Sequence, residues 1–310
     1  MGAFVYGPVP SRRLGRSLGL DIVSPKSCTA NCVYCQIGSR EPLPPIRKRF
    51  FPPEKIETDL ESAIKSDGEV DWITFSGSGE PTLSLDLERL IVSAKSHGVA
   101  PVCVLTNGTL LSMPDVRKEL MAADLVVPNL DAATPELFQK VVRPHAEIDF
   151  YAYISGLKLF AGEFDGDLHL EIVLIKDIND SEEHFHQLAE LVGEISPGGV
   201  WIGTVKRPPA EVYVHPVDDS VLAKASEIIG QNTEIITEFK LSSGDFIVFQ
   251  DLRERVFSIL KRRPETAEGI ANSLSANPHV VLKILTELET DKTIIRKSSR
   301  DSVYYDLTRS

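Results

Sequence analysis

The sequence predicts an α/β fold: a partial (β/α)6 parallel barrel over residues 1–245, followed by a small winged helix over residues 250–310. Three observations predict it. Short aliphatic, β-branched runs alternate with amphipathic stretches of helical length up to about residue 240, the pattern of βαβ units in a parallel sheet. Near residue 250 the alternation stops and three helical stretches lead into two β-like runs. The charge balance shifts at the same place. Residues 251–310 hold 11 Lys+Arg against 9 Asp+Glu, a balance of +2, whereas the preceding residues carry −14.

The elements are read in chain order. A Pro- and Arg-rich start leads to a strand at 18–23, a cysteine-bearing loop and a Pro-rich connector over 40–53. Helix is expected at 56–65, strand at 72–75, helix at 85–96 and strand at 102–105. Pro114 suits the first turn of a helix over 114–122, because its missing N–H costs nothing there. A strand at 125–130 is followed by helices at 135–140 and 154–160. LHLEIVLI (168–175) is the clearest strand. Ser181 caps a helix running to 195, and Glu182 and Glu183 suit its positive N-terminal end. Strand 200–205 and helix 221–229 complete about six units, too few for an eightfold barrel. In the last segment, helices are expected at 252–261, at 267–274 behind the cap Thr266, and at 279–289. The runs 293–297 and 303–307 flank a turn and form a hairpin. Three helices and a hairpin make a winged helix.

Composition narrows the function classes. The chain has 310 residues, 42% of them hydrophobic, enough for a sizeable core. No apolar run approaches the ~18–20 residues that span a bilayer. The N-terminus lacks the basic, apolar, small-residue order of a signal peptide, so a cytoplasmic location is expected. A net charge of −12 repels phosphate backbones at long range and disfavours general nucleic-acid affinity.

Of four cysteines, Cys28, Cys32 and Cys35 fall within eight residues, and Cys103 is distant. A tight trio in a long chain points to metal rather than to a disulfide framework. Thiolates hold iron–sulfur clusters. Three of them on a four-iron cluster leave one iron open, as catalytic metal sites do. Zinc is the competing reading, but it calls for a fourth ligand nearby, and the nearest histidine is His97. Two further loops follow strands, where parallel barrels place their chemistry. These are SGSGEPT, with Gly77, Gly79 and Glu80, and TNGT, with Asn107. Glycine lets backbone approach a ligand closely, and a carboxylate accepts charge-assisted bonds from an ammonium.

CTANCVYC (28–35), with the aromatic Tyr34 before the last cysteine, resembles the signature of the radical S-adenosylmethionine superfamily. SGSGEPT resembles that family's glycine–glutamate loop, and the TNG loop also has counterparts there. The resemblance covers roughly residues 15–205 and implies an oxidoreductase with a [4Fe–4S] cluster on Cys28, Cys32 and Cys35. The open iron would chelate S-adenosyl-L-methionine, and reductive cleavage would give a 5′-deoxyadenosyl radical that abstracts hydrogen from a substrate. Tyr34, Gly77, Gly79, Glu80, Asn107 and Asn179 would bind the cofactor: the Gly77–Glu80 loop its methionine amino group, Asn107 and Asn179 its ribose. The implied partner is an electron donor of flavodoxin or ferredoxin type. GPVPSRRLGRSLGLD with CxxNCxYCQ is similar to an uncharacterised branch grouped with wyosine-base synthases that modify tRNA. Their second cysteine trio has no counterpart here.

The sequence leaves the substrate open among RNA, a peptide or protein, and a small metabolite. Arg12, Arg13 and Arg16 are candidates to bind an anionic substrate or the methionine carboxylate. Arg207 and Glu211 are candidates for the substrate pocket, and Lys176 is a candidate amine. The winged helix serves either as a structural or dimerisation element or as a docking module for RNA, peptide or protein, with Arg296, Lys297 and Arg300 on its hairpin. The alternative function is a non-enzymatic iron–sulfur redox sensor acting through that winged helix.

Overall fold

The computed structural model describes residues 4–66, 70–205, 209–230, 232–236, 245–260, 264–274, 276, 278–299 and 302–308. The first part is a βα alternation around one curved sheet. Its strands are β1 (Val5–Ser11), β2 (Gly15–Leu20), β3 (Trp72–Phe75), β4 (Val102–Thr106), β5 (Leu125–Pro128), β6 (Asp167–Leu174), β7 (Gly199–Thr204) and β8 (Thr233–Ile235). They lie side by side in chain order. β1 is antiparallel to β2, and β2 through β8 are parallel. No pairing joins β1 to β8 among the described residues, so the barrel is partial.

The helices are α1 (Pro53–Ser66), α2 (Leu87–Ser96), α3 (Pro114–Leu120), α4 (Pro135–Val141), α5 (Phe150–Glu163), α6 (Glu182–Ile195) and α7 (Asp219–Ile229). Their starts follow from local chemistry. Pro occupies the first turn of α3 and α4, Asp149 accepts from Ala152 N–H at the head of α5, and Ser181 accepts from His184 N–H at the head of α6. These caps satisfy amide donors that have no partner within the helix.

Strand alternation sorts the barrel into two layers. Along β6, Leu168, Leu170, Ile172 and Leu174 are buried in the main core beneath the helices. Glu171 and Val173 turn the other way and line an internal cavity. Cys103 of β4, Leu125 and Val127 of β5 and Trp201 of β7 also point inward and pack together with Leu14 from the β1–β2 turn. Side chains thus fill part of the barrel, as expected for a small one.

The structure corrects the expected strands in three ways. Among the described residues the barrel sheet has eight strands rather than six. β1 went unseen because its prolines obscure the pattern, although an edge strand tolerates them. β8 has only three residues. The first parallel strand ends at Leu20 instead of 23, because the Asp21 carboxylate turns to bond Ser78 N–H at 2.9 Å and takes the chain out of the sheet.

The last part comprises α8 (Asp245–Leu260), β9 (Glu265–Thr266), α9 (Ala267–Leu274), α10 (Pro278–Thr290), β10 (Ile294–Ser299) and β11 (Ser302–Leu307). β10, β11 and β9 form a separate antiparallel sheet in that order. Its core, with Val256, Ile270, Val281 and Ile284, incorporates Tyr6 of β1. Among the described residues no helix is long and apolar enough to cross a membrane.

Candidate functional site

The cysteine loop leaves the C-terminal end of β2 and is clamped from two sides. On one side, Lys26 N–H donates to Ser78 O at 2.7 Å, and Glu80 N–H donates to Ser27 O at 2.8 Å. On the other, Val33 N–H donates to Val141 O at 2.9 Å at the end of α4, and His145 N–H, in the segment that follows, donates to Thr29 O at 2.9 Å. Val33, between two of the cysteines, is fully buried and anchors the loop. Cys28, Cys32 and Cys35 are free and half-buried, and all three line one cavity of about 380 Å³. That volume lies in the range of small-molecule sites. Among the described residues no three His, Cys, Asp or Glu side chains are gathered as a single metal ion requires.

Burial, and then the Glu80 charge, push the Cys28 thiol up to about 11; burial, and then the Cys28 charge, raise Cys32 well above the ordinary thiol range. Both are neutral thiols at pH 7 in the bare protein, and a bound metal would have to displace their protons. Two neighbours donate to these sulfurs: Asn107 Nδ2 at 3.4 Å from Cys28 Sγ, and the guanidinium of Arg40 to Cys35 Sγ.

The glycine loop fits tightly against this arrangement. Gly77 has φ +153°, and a Cβ there would meet the Asp21 carboxyl at 2.4 Å. A Cβ on Gly79 would lie 2.1 Å from Ser27 O, one residue before Cys28. Both glycines also line the cavity. Beside them, Asp21 is raised to about 6 by burial, against the hydrogen bonds from Ser78.

Glu80 is 2% exposed and accepts four hydrogen bonds. Thr82 N–H (3.0 Å), Thr82 Oγ1 (2.6 Å) and Thr106 Oγ1 (2.6 Å) reach Oε1, and Asn107 N–H (2.7 Å) reaches Oε2. Burial raises its pKa and these donors oppose the rise. Its first task is therefore to tie the loop after β3 to the loop after β4. Asn107 likewise faces the cysteine loop, donating to Thr29 Oγ1 at 3.0 Å as well as to Cys28. Tyr34 donates from its hydroxyl to Asp131 Oδ2 at 2.5 Å, and Val173 N–H holds the other carboxylate oxygen at 2.8 Å. Burial pushes Asp131 up to about 7.

Tyr34, Gly77, Gly79, Glu80 and Asn107 therefore meet the three cysteines at one cavity. Asn179 does not. It is 1% exposed, its amide carbonyl accepts from Ile175 N–H, and its NH2 donates to Asp131 O and Val173 O. It braces the end of β6, where the expected ribose contact had placed it at the ligand. Arg16 is also elsewhere, paired with Asp71 at 3.1 Å on the outer surface, because Gly15–Leu20 forms strand and turns it outward. Glu211 pairs with Arg143 at 2.5 Å, Lys176 is exposed, and Arg207 lies outside the described residues. Arg12 and Arg13 do line the cavity, and Arg13 forms an ion pair with Glu171. On the hairpin, Lys297 pairs with Asp306, and Arg300 lies outside the described residues.

Sequence reasoning missed Arg40, Asp131 and Glu171. Asp131 carried a usable signal, a lone acid just past a barrel strand. Glu171 alternates inward along β6 and was legible only once the faces were assigned. Arg40 carried none.

The chain is similar to known proteins. The model of the radical SAM superfamily matches residues 22–189. A UPF0026 protein of Methanocaldococcus jannaschii is 30% identical over 306 residues, covering 97% of this chain and 94% of its own. A Brachyspira hyodysenteriae protein named GTPase Obg is 36% identical over 286 residues, which make up 92% of this chain; the chain spans only 42% of that relative's length. Among solved structures, TYW1 with a lysine–pyruvate adduct bound superposes with a TM-score of 0.52 at 19% identity, over 70% of this chain and 74% of its own. Streptococcus suis SuiB bound to its precursor peptide SuiA gives 0.54 at 16%, over 76% and 51%. At those identities the likeness is one of fold. The family match and the near full-length UPF0026 similarity together establish that this chain belongs to the radical SAM superfamily and, within it, to the UPF0026 proteins.

Proposed function

We propose that the protein is a radical enzyme that holds a [4Fe–4S] cluster on Cys28, Cys32 and Cys35 and binds S-adenosyl-L-methionine beside it. One observation carries the reading: three free thiols share a cavity with a glycine loop packed too closely for any side chain. The residues present fit the group, since three sulfurs leave one iron without a protein ligand and the glycine backbone lies open to the space beside them. When bound, the cluster and S-adenosyl-L-methionine supply reductive cleavage of the sulfonium and abstraction of a hydrogen atom.

The chain's own residues have defined tasks in this scheme. Gly77 and Gly79 bring backbone groups to the methionine end. Glu80 fixes the two loops relative to each other, and Asn107 donates toward Cys28. Arg40 donates toward Cys35, and hydrogen bonds to cluster sulfurs shift reduction potentials. Tyr34, held by Asp131, presents an aromatic face beside the last cysteine. The electron comes from a flavodoxin- or ferredoxin-type donor.

The chain divides at about 245–250 into the barrel and a winged helix. The order helix, short strand, helix, helix, hairpin after residue 245 supports this. RNA and peptide substrates are consistent with relatives named as RNA methyltransferases and with the peptide-bound SuiB. Anaerobic reconstitution with iron, sulfide, dithionite and S-adenosyl-L-methionine tests the reading: 5′-deoxyadenosine should form, and its absence from iron-loaded protein would favour the redox-sensor alternative.

A further inference from the structure

Tyr6 connects the C-terminal part of the chain to the glycine loop. It stands on β1 opposite Gly19 of β2, and Gly19 in turn pairs with Thr74 of β3. A Cβ on Gly19 would lie 2.1 Å from Tyr6 Cζ. Glycine inside a strand often marks such a close approach. The Tyr6 ring therefore lies across β2. Its hydroxyl reaches Ser76, which follows Thr74 by two residues and keeps to the same face. Tyr6 Oη shares a hydrogen bond with Ser76 Oγ at 2.9 Å, and Ser76 O lies 3.4 Å away. Ser76 opens the glycine loop, directly before Gly77, and its own N–H donates to Leu20 O at 3.1 Å.

The same tyrosine belongs to the other core. Tyr6 is buried with Val256 of α8 and with Val281 and Ile284 of α10. Both helices pack against β1. Val280 of α10 lines the cavity together with Tyr6, Ser76 and Gly77. The ring supplies apolar area to the C-terminal core, and a buried tyrosine hydroxyl needs a polar partner. Phenylalanine would supply the same area, so core packing alone does not call for the hydroxyl. With the C-terminal part seated, the ring is held and the hydroxyl meets Ser76 away from water. With that part displaced, the ring meets solvent and water competes for the bond.

We propose that Tyr6 is a positioning residue for the glycine loop, and that through it the seating of the C-terminal part and the binding of the cofactor favour each other. That the cofactor is S-adenosyl-L-methionine rests on the radical-enzyme reading above; the link from the C-terminal core to Ser76 does not. Such coupling is reciprocal: the factor by which seating raises cofactor affinity is the factor by which the cofactor strengthens seating.

The test is amide hydrogen exchange on the full chain, followed by titration with S-adenosyl-L-methionine after anaerobic reconstitution. In the cluster-free protein, Tyr6→Phe should speed exchange at residues 76–80 severalfold and leave α6 unchanged. Ile284→Ala, which leaves a void in the C-terminal core, should speed exchange at the same loop. Both act through one bond, so the double variant should exchange no faster at the loop than the faster single variant. After reconstitution, Tyr6→Phe should hold the same iron and bind S-adenosyl-L-methionine about threefold to tenfold more weakly, the scale of one hydrogen bond between neutral groups. Saturating S-adenosyl-L-methionine should slow exchange in α10 of the wild type and not of Tyr6→Phe, a response that a merely structural tyrosine would not give. Loop exchange unaltered by Tyr6→Phe, or additive effects in the double variant, overturns the proposal. So does a uniform rise in exchange across the barrel, which would make Tyr6 a general stabiliser, or cofactor affinity that stays at the wild-type value while the loop loosens. If the wild-type chain binds no S-adenosyl-L-methionine, the radical-enzyme reading fails, and exchange in the cluster-free variants still decides whether the two parts are linked.

Discussion

The backbone N–H of Asn107 donates to Glu80 Oε2 at 2.7 Å, joining the loop after β4 to the loop after β3. Glu80 is thus an internal fastener between the two loops. Glu80→Ala leaves Thr82, Thr106 and Asn107 donors buried without their acceptor, each at a cost of roughly 1–3 kcal/mol. The cluster-free protein should lose about 3 kcal/mol or more in urea unfolding. An unchanged unfolding midpoint alongside weakened S-adenosyl-L-methionine binding would show that Glu80 acts on the cofactor alone.

Gly79→Ala drives a methyl group into Ser27 O, a backbone atom that cannot swing aside and that Glu80 N–H already holds. The cysteine loop must shift, so iron retained after reconstitution should fall severalfold. Gly193→Ala, on α6 with open space around it, serves as the control and should keep full iron content and gain slightly in stability. Equal iron content in the two variants would mean that the close approach does not position the cysteines.

Asp21 gives a pH signature. Burial holds its carboxyl at about 6 in the fold, whereas it titrates near 3.9 in an unfolded chain. The folded state therefore binds the proton more tightly. The stability this adds is complete below about pH 4 and is lost as the pH rises through 6, a change of about 3 kcal/mol. Asp21→Asn should flatten the stability profile between pH 4 and 7, measured by denaturant titration of the cluster-free protein. Parallel profiles for wild type and variant would remove Asp21 as the source.

Removing residues 245–310 exposes Tyr6, which is buried against the C-terminal core, and opens the cavity wall at Val280 and Lys283. The shortened chain should still take up iron and cleave S-adenosyl-L-methionine slowly, because the cysteine and glycine loops lie wholly in the barrel. Loss of iron uptake would make the C-terminal part integral to the barrel.

The sequence was legible where periodicity and spacing carry the signal. The six central parallel strands and the caps Ser181 and Thr266 follow from local chemistry, and Thr266 Oγ1 does accept from Gly269 N–H. The three cysteines and the two loops beside them were legible for the same reason, since each follows a strand end. What was hidden depends on pairing across the chain. Nothing local says that Arg13 meets Glu171 or that Arg16 turns outward to Asp71, because a one-residue change in strand register exchanges the two faces. Lys283 was not singled out from the sequence; only the seating of α10 against β1 brings it to the cavity. Asn179 failed for the opposite reason: a polar residue past a strand suggested a ligand contact, and burial turned it to bracing backbone instead.

The central claim is tested most directly by counting iron and product in one anaerobic sample. Protein reconstituted with iron and sulfide should hold about four iron atoms per chain, and with dithionite and S-adenosyl-L-methionine it should release 5′-deoxyadenosine and methionine. A Cys35→Ala variant should give neither. Near-stoichiometric zinc without iron uptake, or iron-loaded protein that leaves S-adenosyl-L-methionine intact, would contradict the account.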